Sequence, residues 1–172
     1  DLIGEGIDLA LRPGPLNDPA YSGRLLSPAY RVACASAAYL RRYGVPASPE
    51  ELVHHHCLVH RSQNRWFNEW EFLPTDRPGS DPVRIKVGCA LDCDNASVAY
   101  EWALQGRGII YNSEVVLKRA LACGNLVRLF SDYVGVSVPL YAVWPTGQAC
   151  NAHTQDLVDQ LVIEFGGMGL GK

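Results

Sequence analysis

Short extended segments alternate with helical segments along most of this chain. Extended segments are predicted at 7–12, 23–35, 57–60, 70–73, 83–91, 108–111 and 138–145, because their apolar residues alternate or form short buried runs. Helices are predicted at 36–44, 94–106, 112–124 and 154–165, where apolar residues recur at helical spacing. Strands and helices in alternation predict an α/β fold in which helices flank a mostly parallel sheet.

Capping residues define where these helices begin and end. Ser36 is the predicted N-cap of the first helix, and Gly44 ends it. Asp94 or Asn95 caps the second. In the segment SPEEL (48–52), Ser48 and Glu51 have the spacing of a capping box. The terminal helix carries an apolar stripe formed by Leu157, Val158, Leu161, Val162 and Phe165.

Composition limits the classes of function. The chain has 172 residues, 48% of them hydrophobic, which suits one domain or two small lobes. A net charge of −3 argues against DNA binding by this chain alone. No apolar run approaches about 18 residues, the length of a membrane span, and the opening residues do not predict a signal peptide. Because Met168 is the only methionine, we expect a missing upstream segment.

Six cysteines occur without CxxC spacing. Cys34, Cys57 and Cys123 lie in or beside apolar segments, which indicates buried thiols in a reducing cytoplasm. Cys89 and Cys93 lie four residues apart in a segment that we expect to be extended, about 13 Å apart and beyond disulfide reach.

Arg12 has an unusual position for a charged residue. It ends the alternating segment at 7–12, which is predicted to be a half-buried strand with Ile7, Leu9 and Leu11 on one face. Pro13-Gly14-Pro15 follows and stops the strand. Ligands of open α/β sheets collect outside the carboxyl ends of the strands. A guanidinium at that place can hold a carboxylate or a phosphate through two hydrogen bonds.

Several segments together resemble a known family. They are EGIDLALRPGPLNDPAYSGRLL (5–26), VACASAAYLRRYGVPASPEELVHHHCLVH (32–60), NASVAYEWALQGRGIIYNSEVVLKRALACGNLVRLF (95–130) and PLYAVWP (139–145). Their order and spacing resemble the effector-binding domain of LysR-type transcriptional regulators. No single motif is unique to the family, but the ordered set covers nearly the whole chain. Ala37 departs from the pattern, because the family often has proline there.

The resemblance implies a two-lobed, periplasmic-binding-protein-like type II fold. The first lobe would hold residues 1–27 and 136–172, and the second lobe residues 28–135. The chain begins after the family's helix-turn-helix and after the strand–helix–strand that opens the effector domain. The first lobe is therefore expected to be incomplete, with bare sheet edges that favour pairing with another chain.

The resemblance also implies which residues line a ligand cleft. These are Arg12, Ser36, Asp94, Asn95 and Tyr111. Helix amino ends and an arginine favour an anionic ligand. Other roles stay open at each position. Ser36, Asp94 and Asn95 can simply cap helices, Arg12 can pair with a surface acid, and Tyr111 can belong to the core. The carboxylate of Asp94 would oppose an anion.

The segment HHHCLVH offers a competing interpretation. His54, His55, His56, Cys57 and His60 are all possible metal ligands. Neighbouring side chains on a short turn point in different directions, which favours a solvated turn over a metal site. The tail GGMGLGK (166–172) matches a phosphate-binding loop only in part, since no Ser or Thr and no helix follow Lys172.

The resemblance implies a ligand sensor that is not an enzyme and uses no cofactor or metal. A small anionic metabolite would bridge the lobes, change their relative angle and so control transcription through an absent DNA-binding domain. A cytoplasmic homo-oligomer without membrane contact is expected for the full-length protein. The alternatives are a solute-binding protein serving a transporter and a metal-dependent enzyme using the His54–His60 cluster.

Overall fold

The chain forms two compact units. The computed structural model describes residues 4, 6–62, 65–77, 79–147 and 152–166. Unit 1 comprises Asp1–Ala29 and Ser137–Lys172, and unit 2 comprises Tyr30–Val136. Within the described residues, no helix is both long enough and apolar enough to cross a membrane. The tail at 167–172, with Met168, lies outside the described residues.

The described residues of unit 1 form a three-stranded antiparallel sheet and one helix. The strand order is β1 (Ala10–Pro13), β12 (Leu140–Pro145), β2 (Tyr21–Ser27), so the last strand lies between the first two. The helix α4 (Ala152–Gly166) packs on this sheet. Leu26, Ala142 and Val158 form the buried centre of the unit.

One sequence prediction for unit 1 is wrong. Ile7 and Leu11, predicted to lie on the buried face of the strand that carries Arg12, are 36% and 46% exposed in and beside the edge strand β1. The predicted stripe of α4 is confirmed at four positions, which belong to the core of unit 1: Val158, Leu161, Val162 and Phe165. Leu157, the remaining member of the stripe, is 47% exposed.

Unit 2 is built around a mixed sheet. Its strand order is β10 (Val127–Arg128), β3 (Arg31–Ala35), β9 (Ile109–Ser113), β4 (Cys57–Ser62), β5 (Arg65–Trp66), and β8 (Cys89–Cys93) also pairs with β4. Only the β4–β8 and β4–β9 pairs are parallel among the described strands. The prediction of a mostly parallel sheet is therefore wrong, although the mixed α/β class is confirmed.

A second small sheet covers one face of this mixed sheet. Its order is β11 (Tyr133–Val134), β6 (Glu69–Pro74), β7 (Val83–Lys86). Trp70 and Phe72 of β6 pack with Tyr111 in one core cluster. The helices α2 (Ala96–Leu104) and α3 (Glu114–Ala122) belong to the other cluster, with Cys34 and Ile110. The mixed sheet is thus buried on both faces.

Local signals set most helix ends. The Oγ of Ser36 accepts a hydrogen bond from the backbone N–H of Tyr39 at the start of α1 (Ala37–Tyr43), and Gly44 ends it with φ 85°. Residues Pro49–His54 form a 3-10 helix, where the Ser48 side chain caps nothing. The Glu51 carboxylate instead accepts from the backbone N–H of Ala47 at 2.7 Å. The capping-box prediction for Ser48 is therefore wrong.

The predicted strands at 23–35 and 83–91 are each divided in two. Residues 28–30 separate β2 from β3, because this segment carries the chain from unit 1 into unit 2. Val87 and Gly88 separate β7 from β8, which belong to different sheets.

Candidate ligand-binding site

The amino end of α1 is buried and already occupied. Ser36 is 4% exposed, and its hydroxyl accepts from the N–H of Tyr39 at 3.2 Å. Gly106 lies against it, since a Cβ added there would be 3.2 Å from the Ser36 Oγ. Gly106 also has φ +75°, which a non-glycine residue rarely adopts. Ser36 therefore caps its helix under the turn that follows α2.

The amino end of α2 is exposed. The Asn95 side chain accepts from the N–H of Ser97 at 2.9 Å, so Asn95 rather than Asp94 is the N-cap. The backbone carbonyl of Asp94 lies 3.3 Å from Nε2 of His60. Among the described residues, the Asp94 carboxylate forms no ion pair. At this helix end the N–H of Ser97 bonds the Asn95 side chain, and those of Val98 and Ala99 bond the Asn95 carbonyl, so the site offers the positive end of the helix dipole beside one negative side chain.

Contacts within unit 2 fix both the hydroxyl and the ring of Tyr111. Its hydroxyl donates to the carbonyl of Glu71 at 2.5 Å and accepts from the N–H of Val136 at 3.1 Å. Its ring stacks on Trp70 with centroids 5.0 Å apart. Burial raises the pKa of the Tyr111 hydroxyl, which stays protonated and able to donate. Tyr111 is 7% exposed and belongs to the core.

Gly135 makes this position of Tyr111 possible. A Cβ at residue 135 would lie 2.1 Å from the Tyr111 hydroxyl oxygen and 2.7 Å from the carbonyl oxygen of Arg31. No side chain fits there. Glycine therefore allows the segment that leaves unit 2 to pass directly over the tyrosine.

Arg12 lies in unit 1 and is exposed. It stands opposite Tyr141 in the register between β1 and β12. Within the part of the chain that the structure describes, Arg12 forms no ion pair. Its guanidinium remains available to an anion.

Strand directions decide which candidate residues of unit 2 share an end of the sheet. In the parallel β4–β8 pair, His60 stands beside Cys93, so Asp94 and Asn95 follow at the carboxyl ends of these strands. The antiparallel β3–β9 pair places Arg31 beside Ser113 at the same end. Because β3 runs the opposite way, Ser36 lies at the other end. Ser36 therefore does not share a site with Asp94 and Asn95.

The sequence analysis missed Arg31. This residue begins β3, and its guanidinium carbon lies 5.7 Å from the centroid of the Tyr111 ring. Burial lowers the pKa of Arg31, while the neighbouring Tyr111 acts in the opposite direction. The available signal was a charged residue opening the apolar strand RVACA, at the point where β3 enters unit 2.

The histidine segment is engaged in local contacts. Nδ1 of His55 lies 3.1 Å from the Tyr39 hydroxyl, which also accepts from the N–H of His56 at 2.9 Å. The His56 ring packs edge-on against Tyr43. Among the described residues, no three His, Cys, Asp or Glu side chains are placed to hold a metal ion.

The fold and these strand ends define a class of protein. Mixed α/β sheets in two units are the architecture of the periplasmic-binding-protein-like type II fold, which the regulatory domains of LysR-type regulators have. The family model "LysR substrate binding domain" matches residues 1–166. The chain belongs to the LysR substrate-binding domain family, which confirms the family prediction made from the sequence.

Curated relatives are regulators of the same kind. The chain is 32% identical over 144 residues to the HTH-type transcriptional activator TtdR of Escherichia coli (strain UTI89 / UPEC), covering 84% of this chain and 45% of that protein. It is 29% identical to the HTH-type transcriptional regulator DmlR of Escherichia coli K12, covering 94% of this chain and 51% of the relative. The chain thus spans about half the length of these relatives.

Solved structures show the same fold. The CrgA regulatory domain of Neisseria meningitidis, a LysR-type transcriptional regulator, superposes with a TM-score of 0.80 at 28% identity. The match covers 95% of this chain and 78% of the CrgA chain. The regulatory domain of AphB from Vibrio vulnificus, at 20% identity, supports the fold alone with a TM-score of 0.69.

Proposed function

We propose that this chain senses a small anionic molecule for a LysR-type transcriptional regulator. The observation that carries this proposal is the match of the family's substrate-binding model to residues 1–166. The full-length regulator would act as a homo-oligomer in the cytoplasm and bind DNA through the helix-turn-helix for which its relatives are named. The sensor itself would bind its ligand without transforming it.

Ligand binding controls transcription only if two states of the protein bind the ligand differently. A tenfold preference for one state shifts the equilibrium by about 1.4 kcal/mol. We propose that this difference changes how the regulator presents its DNA-binding domains. With a net charge of −3, this chain has little attraction of its own for DNA.

Anion binding is supported by groups in each unit. In unit 1, Arg12 is exposed and lacks an acidic partner among the described residues. In unit 2, α2 begins at the carboxyl ends of β4 and β8. A helix amino end stabilises an anion by about 0.3–1 kcal/mol, and a charge-assisted hydrogen bond adds about 1.5–3 kcal/mol. We therefore propose that Arg12 and Asn95 each contact the ligand, and a separate variant tests each residue.

The test is a thermal-shift screen of small carboxylates, each beside its neutral amide. A ligand at 100 times its Kd stabilises the folded chain by about 2.7 kcal/mol, which raises the Tm by about 5–10 °C. We expect Arg12→Ala and Asn95→Ala to reduce this rise, and Asp94→Asn to increase it by removing a repelling charge. Equal stabilisation by acids and amides in every variant would refute an anionic ligand.

A further inference from the structure

The Arg31 side chain is charged and partly buried, and burial of a charge costs free energy. Among the arginines whose side chains the structure describes, only Arg31 is not exposed. A guanidinium that is partly removed from water loses hydration and needs an anion or a hydrogen-bond acceptor in exchange. An unpaired guanidinium therefore costs more free energy at Arg31 than at the surface arginines.

The protein supplies no such partner within the described residues. No carboxylate of the described residues lies within 4.0 Å of the Arg31 guanidinium. The two acidic residues on neighbouring segments are engaged elsewhere. Glu71 pairs with Arg84 at 3.5 Å, and Glu114 accepts from the backbone N–H of Tyr30 at 3.2 Å.

The guanidinium lies over a fixed surface. Its carbon is 5.7 Å from the centroid of the Tyr111 ring, whose hydroxyl forms two backbone hydrogen bonds. Stacking on an aromatic face covers one side of a guanidinium and leaves the N–H groups at its edge free to donate. This arrangement fits a planar carboxylate, which accepts two parallel hydrogen bonds.

A second donor stands beside Arg31. Ser113 is its cross-strand partner in the β3–β9 pair, so both side chains leave the same face of the sheet. Ser113 precedes α3, yet its hydroxyl forms no capping hydrogen bond. Both residues lie at the carboxyl ends of β4, β8 and β9, the end at which α/β sheets bind ligands.

We propose that Arg31 binds the carboxylate of the sensed molecule, with the Ser113 hydroxyl as an additional donor and Tyr111 as a positioning residue. The inference rests on the proposed function, because the anion it assigns to Arg31 belongs to the effector. It adds an anion site within unit 2 that requires no other part of the chain.

The test is a titration followed by ¹H–¹⁵N NMR spectra, using succinate, its neutral analogue succinamide, and inorganic phosphate. Succinate and phosphate should shift the amide signals of Arg31, Ser113 and Gly135 in a saturable manner, whereas succinamide should not. Arg31→Gln should raise the Kd for succinate at least about tenfold, equivalent to about 1.4 kcal/mol. The matched variant Arg107→Gln, at an exposed arginine, should leave the Kd unchanged.

A stability measurement separates this role from a structural one. If Arg31 serves to bind a ligand and does not stabilise the unliganded fold, the Arg31→Gln variant without ligand should unfold at the same or a higher temperature than the unsubstituted chain. A structural arginine would lower that temperature. Tyr111→Phe keeps the ring under the guanidinium and should change the Kd less than Arg31→Gln does.

The outcomes distinguish this inference from the proposed function. If succinate binds Arg31→Gln as tightly as the unsubstituted chain, the Arg31 site is wrong and anion sensing stands. If no carboxylate of the thermal-shift screen binds, the proposed function fails. The phosphate titration alone then tests whether Arg31 forms an anion site. Saturable phosphate shifts at Arg31 and Gly135 then support the site, and their absence overturns it.

Discussion

Removing the Tyr111 hydroxyl tests how unit 2 holds its outgoing segment. Tyr111→Phe deletes a hydrogen bond to the carbonyl of Glu71 at 2.5 Å and one from the N–H of Val136 at 3.1 Å. Stacking on Trp70 remains. Each lost hydrogen bond costs about 0.5–1.5 kcal/mol, and a buried group left unpaired costs more. The free energy of unfolding of unit 2 should therefore fall by about 2–3 kcal/mol.

Two measurements check this value. Urea unfolding gives the loss in stability, and native-state hydrogen exchange should show faster exchange at the Val136 amide. Tyr133→Phe is the matched control, because Tyr133 is partly buried and its hydroxyl forms no hydrogen bond among the described residues. If Tyr111→Phe costs no more than Tyr133→Phe, and Val136 keeps its protection, the hydroxyl does not hold the segment.

Three other perturbations give defined results. Gly135→Ala forces a Cβ to within 2.7 Å of a backbone carbonyl and should destabilise unit 2 by about 3 kcal/mol, measured by thermal unfolding. An unchanged Tm would refute the close packing over Tyr111. Burial lowers the pKa of His55 from 6.5, so the unfolded chain binds more protons than the folded chain. Stability should therefore fall as the pH drops below 6.5, and His55→Gln should flatten that part of the curve. Burial raises the pKa of the Cys34 and Cys57 thiols to about 12. Cys123 is exposed, so the prediction of a buried thiol there is wrong. Iodoacetamide at pH about 8 should therefore label Cys123 faster than Cys34 and Cys57, and equal labelling rates of the three would contradict the burial of Cys34 and Cys57.

Helix ends were predictable from the sequence because their signals are local. Ser36 and Asn95 cap the helices that directly follow them, and each capping hydrogen bond spans two or three residues. A side-chain oxygen before an apolar helical segment is sufficient to produce this contact. The order of segments that resembles the LysR family was equally visible.

Strand direction was not predictable in the same way. The alternation of apolar and polar residues in a strand is the same whether its partner strand runs parallel or antiparallel. The partner strands also come from distant parts of the chain. The segment at 7–12 predicted a half-buried strand, yet β1 lies at an edge where, among the described strands, only β12 pairs with it. Because β3 runs antiparallel to β9, Ser36 lies at the opposite end of the sheet from Asn95, and Arg31 lies at the same end as Asn95.

Arg31 shows why the candidate site was only partly predictable. A charged residue at the start of an apolar strand is the one signal in the sequence, and it is a weak one because most such residues lie at the surface. Its burial depends on Tyr111, and the close approach over Tyr111 depends on Gly135. These three residues meet only in the folded unit, so no local pattern could connect them.

The central position of β12 in unit 1 imposes an order of folding. Strands β1 and β2 do not pair with each other, so the sheet of unit 1 cannot form until β12 has been synthesised. Unit 2 is continuous in sequence and can fold earlier. Once folded, it holds its two chain ends together through the 3.0 Å hydrogen bond from the N–H of Arg31 to the carbonyl of Val136. This removes most of the loop-closure entropy that pairing β2 with β12 would otherwise cost.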